Sequence, residues 1–197
     1  MNMFCFQCQE TARGTGCTVK GVCGKDPQTA AYMDVLLYAV RGIAIVNRTL
    51  REKGTADNEI DHFVLDALFC TITNANFDDE AIIVRIKKAF EIKNILVGTA
   101  KKRNIALPDM PEVAYFVSEE NYLAEAAEVG VLSEPNEDLR SLKQMVIYGV
   151  KGAAAYTEHA LNLGFEDHDI YAMIENALAE ISRSDISAEE LVSLVLN

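Results

Sequence analysis

Four of the five cysteines in this 197-residue chain fall within its first 23 positions, as Cys5, Cys8, Cys17 and Cys23, in the pattern C-x2-C-x8-C-x5-C. Thiolates are soft ligands, and four that converge suit either zinc or an iron–sulfur cluster. The close pair Cys5 and Cys8 can chelate one side of a site. Gly14, Gly16, Gly21 and Gly24 let the backbone fold back and bring in Cys17 and Cys23. Spacing alone leaves zinc, iron–sulfur and disulfides open, although structural zinc usually pairs two close doublets and the second pair here is separated by five residues.

The opening residues MNMFCFQCQE lack the basic start and apolar stretch of a secretory signal, so a cytoplasmic location is expected. In that reducing compartment a dense set of thiols binds metal or does redox chemistry rather than forming lasting disulfides. Cys70 is different in kind. It sits in LDALFCTITNA, a helical segment where a free thiol behaves as a small buried hydrophobe. His62, His159 and His168 fall on exposed or cap-adjacent helix positions and read as structural or solvated.

With 18 Lys and Arg against 30 Asp and Glu the net charge is −12, which argues against nucleic acid as a partner, because binding a phosphate backbone needs clustered cations. The basic stretches RIKKAF and AKKRN alternate with apolar positions at helical spacing and read as solvated helix faces. No unbroken apolar run approaches the roughly 18 residues of a membrane span, so no membrane is expected as a partner.

The elements that must position the thiols are helices. Residues 1–25 have no helical or strand period and read as an irregular loop. Asp26-Pro27 offers a cap and a first helical residue, after which Tyr32, Leu36, Val40, Ile43, Val46 and Leu50 recur until Gly54. Asp57 opens a second helix with Ile60, Phe63, Val64, Ala67, Leu68, Thr71, Ile72 and Ala75 inward. Asp78 opens a third, burying Ile82, Ile86, Ala89, Phe90, Leu96 and Val97. Pro108 and Pro111 break the pattern over 104–117, which reads as a linker. Ser118 then opens a short helix closed by Gly130. A long one follows from about Glu137 to Leu163, with Leu139, Leu142, Val146, Val150, Ala153, Tyr156 and Ala160 inward. Asp167 caps the next, which buries Ile170, Ile174, Ala177, Leu178 and Ile181, and Ser187 with Glu190 makes a capping box for the last.

The second half repeats the first at an offset of 110: Tyr38 with Tyr148, Gly42 with Gly152, Gly54 with Gly164, Asp57 with Asp167, and Glu80 with Glu190. The expected fold is therefore all-α, two three-helix bundles related by internal duplication and preceded by the cysteine-rich loop. The expected boundaries are 1–25 for the loop, 26–103 for the first bundle, 104–117 for the linker and 118–197 for the second bundle. The third helix of the first unit runs to about Arg103, whose counterpart would be position 213. The second bundle is therefore expected to be truncated in its last helix and the chain to be part of a longer protein.

The stretch MFCFQCQETARGTGCTVKGVCGK, with LLYAVRGIA and the helical remainder, resembles the start of the hybrid-cluster proteins, also called prismane proteins or hydroxylamine reductases. The resemblance implies that Cys5, Cys8, Cys17 and Cys23 bind a 4Fe-4S cluster. It also implies that two α/β domains beyond this chain hold a hybrid 4Fe-2S-2O cluster that reduces hydroxylamine to ammonia or nitric oxide to nitrous oxide. The expected partners are those domains and an electron donor, either ferredoxin-like or an NADH-linked reductase, and the fragment alone is expected to be inactive. Arg13, Lys20 and Lys25 then read as offsetting the cluster's negative charge ahead of docking the donor. Glu10 reads as solvent-exposed. Two rivals are a zinc-bound structural module without redox activity and a domain of the nickel carbon monoxide dehydrogenases, whose cysteine spacing differs.

Overall fold

The computed structural model describes residues 3–8, 11–55, 57–72 and 76–196. It is all-α. Its helices are α1 Pro27–Arg51, α2 Asn58–Cys70, α3 Asp79–Lys102, the single turn α4 Pro111–Ala114, α5 Tyr122–Val129, α6 Glu137–Asn162, α7 His168–Glu180 and α8 Ala188–Leu196. There is no strand among the described residues, and only an isolated bridge joins Cys5 to Cys17. Ala75 and Glu10 lie outside the described residues.

The helix ends follow from local chemistry. Asp57 accepts from Glu59 N at 3.0 Å, Asp78 from Ala81 N at 3.2 Å and Asp167 from Asp169 N at 3.0 Å. Ser187 and Glu190 exchange the two hydrogen bonds of a capping box, at 2.8 and 3.1 Å. Asp26 is the exception: it precedes α1 without a side-chain cap, and its carboxylate lies 3.5 Å from Lys20 Nζ instead.

The duplication is visible hydrogen bond by hydrogen bond. Gly54 (φ 74°) and Gly164 (φ 83°) take the left-handed conformation after α1 and α6. Thr55 N bonds Leu50 O at 3.0 Å, and its counterpart Phe165 N bonds Ala160 O at 3.0 Å. In the third helix of each unit the register changes by one, since the capping residues Asp78 and Ser187 stand 109 apart. The loop after α7 is one residue shorter than the loop after α2.

Each unit gives its second helix to the other. α2 packs more extensively on α6 than on its own α1, and α7 more on α1 than on its own α6. A buried polar network seals this exchange. Asn47 Nδ2 donates to Glu175 Oε1 at 2.6 Å and to Asp61 Oδ1 at 3.2 Å, while Arg51 Nη2 reaches Asp61 at 2.5 Å and Glu175 Oε2 at 3.1 Å. Burying polar groups is tolerable only when they are paired like this, and the pairing fixes how α1, α2 and α7 meet.

α1 is the central helix. Beyond the single stripe expected, Val35, Ala39, Ala44 and Ile45 are also fully buried, so it is covered on all sides. That corrects the exclusion drawn from unbroken runs: by length and composition α1 is apolar enough to cross a membrane, and in the fold most of it lies inside the core. The stretch 104–117 runs across α1. Arg41 Nη2 bonds Glu112 at 2.5 Å, Lys93 Nζ donates to the carbonyls of Glu112 and Tyr115, and a Cβ at Gly42 would stand 2.3 Å from Glu112 O. On α6 the buried face is Val146, Val150, Ala154 and Thr157, whereas Tyr156, expected inward, is 82% exposed. It is one position from Thr157, about 100° around the helix.

Candidate metal centre

The loop is built around Cys5 and Cys17, whose backbones exchange two 2.9 Å hydrogen bonds. Their side chains are 8% and 4% exposed, and with Met3 and Ala30 they form an apolar cluster separate from the main core. Cys8 and Cys23 are half-buried, and no cysteine is in a disulfide. Gly14, Gly16 and Gly24 turn the chain at φ of 71°, 122° and 93°. Gly21 serves by close approach instead, because a Cβ there would stand 3.0 Å from Cys23 Sγ and 3.1 Å from Lys25 Cβ. The turn closes on itself through Gly21 N to Lys25 O and Gly24 N to Gly21 O, both 2.8 Å.

Helices hold the loop from below. Tyr148 on α6 donates from its phenol to Phe6 O, and Gln7 Nε2 donates to Asp34 Oδ1 on α1 at 2.8 Å. Of the three cations beside the thiols, only Lys25 turns inward. Lys20 pairs with Asp26 at the surface and Arg13 is exposed. Lys25 is 2% exposed, with Nζ 2.8 Å from Met33 Sδ and 5.7 Å from the Phe77 ring centroid. A second buried lysine, Lys151 of α6, is 3% exposed and donates to Thr71 O at 3.3 Å.

These groups share one electrostatic environment. Lys25 is in charge contact with Cys5, Cys8, Cys23 and Cys70, and Lys151 with Lys25, Cys5, Asp34 and Cys70. Burial pushes the Cys5 thiol up to about 11 and the Asp34 carboxyl up to about 7. Burial, reinforced by Lys25, pushes Lys151 down to about 8, which leaves it protonated at neutral pH. The high Cys5 value means that metal loading must expel a proton. Cys70 is buried as expected, yet it lies within reach of both lysines rather than in a remote part of the core.

Among the described residues no three Cys, His, Asp or Glu side chains stand close enough together to share one ion. The site's chemistry nevertheless fits a thiolate-bound iron–sulfur group. It offers free thiols on a glycine-rich loop, a backbone N–H from Ala12 to Cys17 Sγ at 3.4 Å, and buried positive charge. His62 pairs with Glu166, His159 stacks edge-on against Phe69 and His168 against Tyr171, and none joins the loop. Sequence reasoning missed Asp34, Tyr148 and Lys151. The one available signal was Lys151, a charge set in the inward row Ile147, Val150, Ala154.

The chain is 54% identical over 196 residues to a hydroxylamine reductase of Bacteroides thetaiotaomicron, 50% over 197 residues to one of Bacteroides fragilis and 45% over 199 residues to one of Desulfitobacterium hafniense. Each match covers 100% of this chain but only 35% or 36% of the relative, so the chain spans about a third of the length of the relatives it matches. The model of the Prismane/CO dehydrogenase family matches residues 3–197, and the chain, with its four-thiol loop on a duplicated helical scaffold, belongs to that family.

Proposed function

We propose that this chain is the iron–sulfur, electron-relay part of a cytoplasmic hydroxylamine reductase of the hybrid-cluster type. Cys5, Cys8, Cys17 and Cys23 would hold a 4Fe-4S cluster, which when bound supplies one-electron transfer. The observation that carries the reading is the paired backbone of Cys5 and Cys17, which sets two thiols of the motif side by side in a chain 54% identical to a named hydroxylamine reductase. Cys17 Sγ accepts a hydrogen bond from the Ala12 N–H, and Tyr148 and Gln7 pin the loop to α6 and α1.

In this reading the donor is ferredoxin-like or an NADH-linked reductase, and the reaction belongs to the remaining α/β part of the longer polypeptide, at its hybrid cluster. There hydroxylamine takes two electrons and two protons to give ammonia and water. Anaerobic reconstitution with iron and sulfide tests the relay. A brown protein whose visible absorption is bleached by dithionite, with the paramagnetic resonance of a reduced cubane, supports it. Colourless protein carrying stoichiometric zinc, or neither iron nor acid-labile sulfide, overturns it.

A further inference from the structure

We propose that Lys25 and Lys151 are built-in counter-charges for an anionic centre held by the cysteine loop, and that they are positioning residues setting how readily that centre accepts an electron. The inference rests on the cluster reading above. It starts from a cost: a charged side chain removed from water is strongly unfavourable unless something of opposite sign faces it. Two ammonium groups from distant parts of the sequence are buried here within charge reach of one another. Neither forms an ion pair among the described residues, and their hydrogen-bond acceptors are neutral, the Met33 thioether and the Thr71 carbonyl.

Long lysine stems often run under apolar surface to bring the charge back to water. These two do not, since each whole residue is no more than 3% exposed. One carboxylate, Asp34, is in electrostatic reach of both and offsets part of their charge, but it forms no ion pair with either. The other groups in charge reach of the lysines are sulfurs: Cys5, Cys23, Cys70 and Cys8 for Lys25, and Cys5 and Cys70 for Lys151, so that three of the four belong to the loop. Four thiolates on a cluster core carry net negative charge, which grows by one with each electron accepted. Fixed positive charge in a poorly hydrated site favours that more negative state.

The duplication sharpens the point. At an offset of 110 the counterpart of Lys151 is Arg41, also a cation on the central turn of its helix. Arg41 is matched by the carboxylate of Glu112, supplied by the stretch that crosses α1. No carboxylate stands against Lys151 in this way among the described residues, and the thiol loop occupies that role.

The test is the midpoint potential of anaerobically reconstituted protein, with Lys151→Met, Lys25→Met and the charge-keeping Lys151→Arg. Both Met variants are expected to be harder to reduce, by at least tenfold in the equilibrium constant, or 59 mV for one electron. They are also expected to release iron to a chelator faster, while Lys151→Arg stays near wild type. In the cluster-free protein Lys151→Met is expected to melt at or above the wild-type temperature, because an unmatched buried charge has gone.

Normal clusters with unmoved midpoints in both Met variants overturn the proposal and leave the cluster reading standing. A cluster-free Lys151→Met protein that melts lower, with its reconstituted midpoint unchanged, assigns Lys151 to α2 through Thr71 and likewise overturns it. Wild-type protein that takes up no iron and sulfide removes the cluster reading and this proposal together. Lys25→Met keeps the comparison open if Lys151→Met perturbs α6, which circular dichroism reports.

Discussion

The phenol of Tyr148 donates a 2.5 Å hydrogen bond to the carbonyl of Phe6, 142 positions earlier in the chain, and its ring centroid lies 6.2 Å from that of Phe6. One side chain of the second unit thus anchors the loop that precedes the first. Tyr148→Phe keeps the ring and removes the hydrogen bond, a loss of about 1 kcal/mol. Reconstituted Tyr148→Phe should lose iron to a chelator about fivefold faster than wild type, with an unchanged helical circular dichroism spectrum.

Cys17→Ser should abolish cluster uptake and leave helicity nearly intact. The reason is the separation of the small apolar cluster of Met3, Cys5, Cys17 and Ala30 from the main helical core. Iron and sulfide analysis beside far-ultraviolet circular dichroism checks both halves, and a wholesale loss of helicity would contradict the separation.

The two halves should respond oppositely to the same change. Gly42→Ala puts a methyl group 2.3 Å from Glu112 O and must push α4 off α1, costing about 1–3 kcal/mol or more. Its counterpart Gly152 has nothing within 4 Å, so Gly152→Ala should be neutral or stabilise by up to about 1 kcal/mol through helix propensity. Urea melts of the two variants decide it.

Burial pushes the Glu175 carboxyl up from 4.5 to about 7, with Asn47 opposing and Asp61 adding to the rise. A carboxyl raised on folding gives its full stabilisation below its unfolded value and loses it as pH rises through the folded value. The melting temperature should therefore fall as pH rises from about 4.5 to above 7. Glu175→Gln should flatten that slope, and what remains belongs to Asp34 and Glu158, which burial also raises. Calorimetry across this pH range provides the measurement.

Much of the fold was legible because helix ends are local. Gly54, Gly164, Asp57, Asp167 and the Ser187–Glu190 box each make their bonds within a few residues, so type and spacing suffice. Faces were less legible. Tyr156 is apolar enough to read as inward, but nothing local reveals which side of α6 its neighbours cover. The exchange of α2 and α7 is a choice among packing partners that periodicity does not encode. At the candidate site the motif marked the four thiols, while Asp34 lies two turns into α1 and Tyr148 and Lys151 more than half the chain away, and they become neighbours of the loop only through folding.

The crossing of second helices has a consequence for how such a molecule is held together. A polypeptide carrying one unit alone would leave the larger packing face of its second helix, and the matching side of its first, uncovered, and clasping another copy about a twofold axis would cover them. Joined in tandem, the two copies clasp each other at fixed stoichiometry whatever the protein concentration, and only one of them needs to carry thiols.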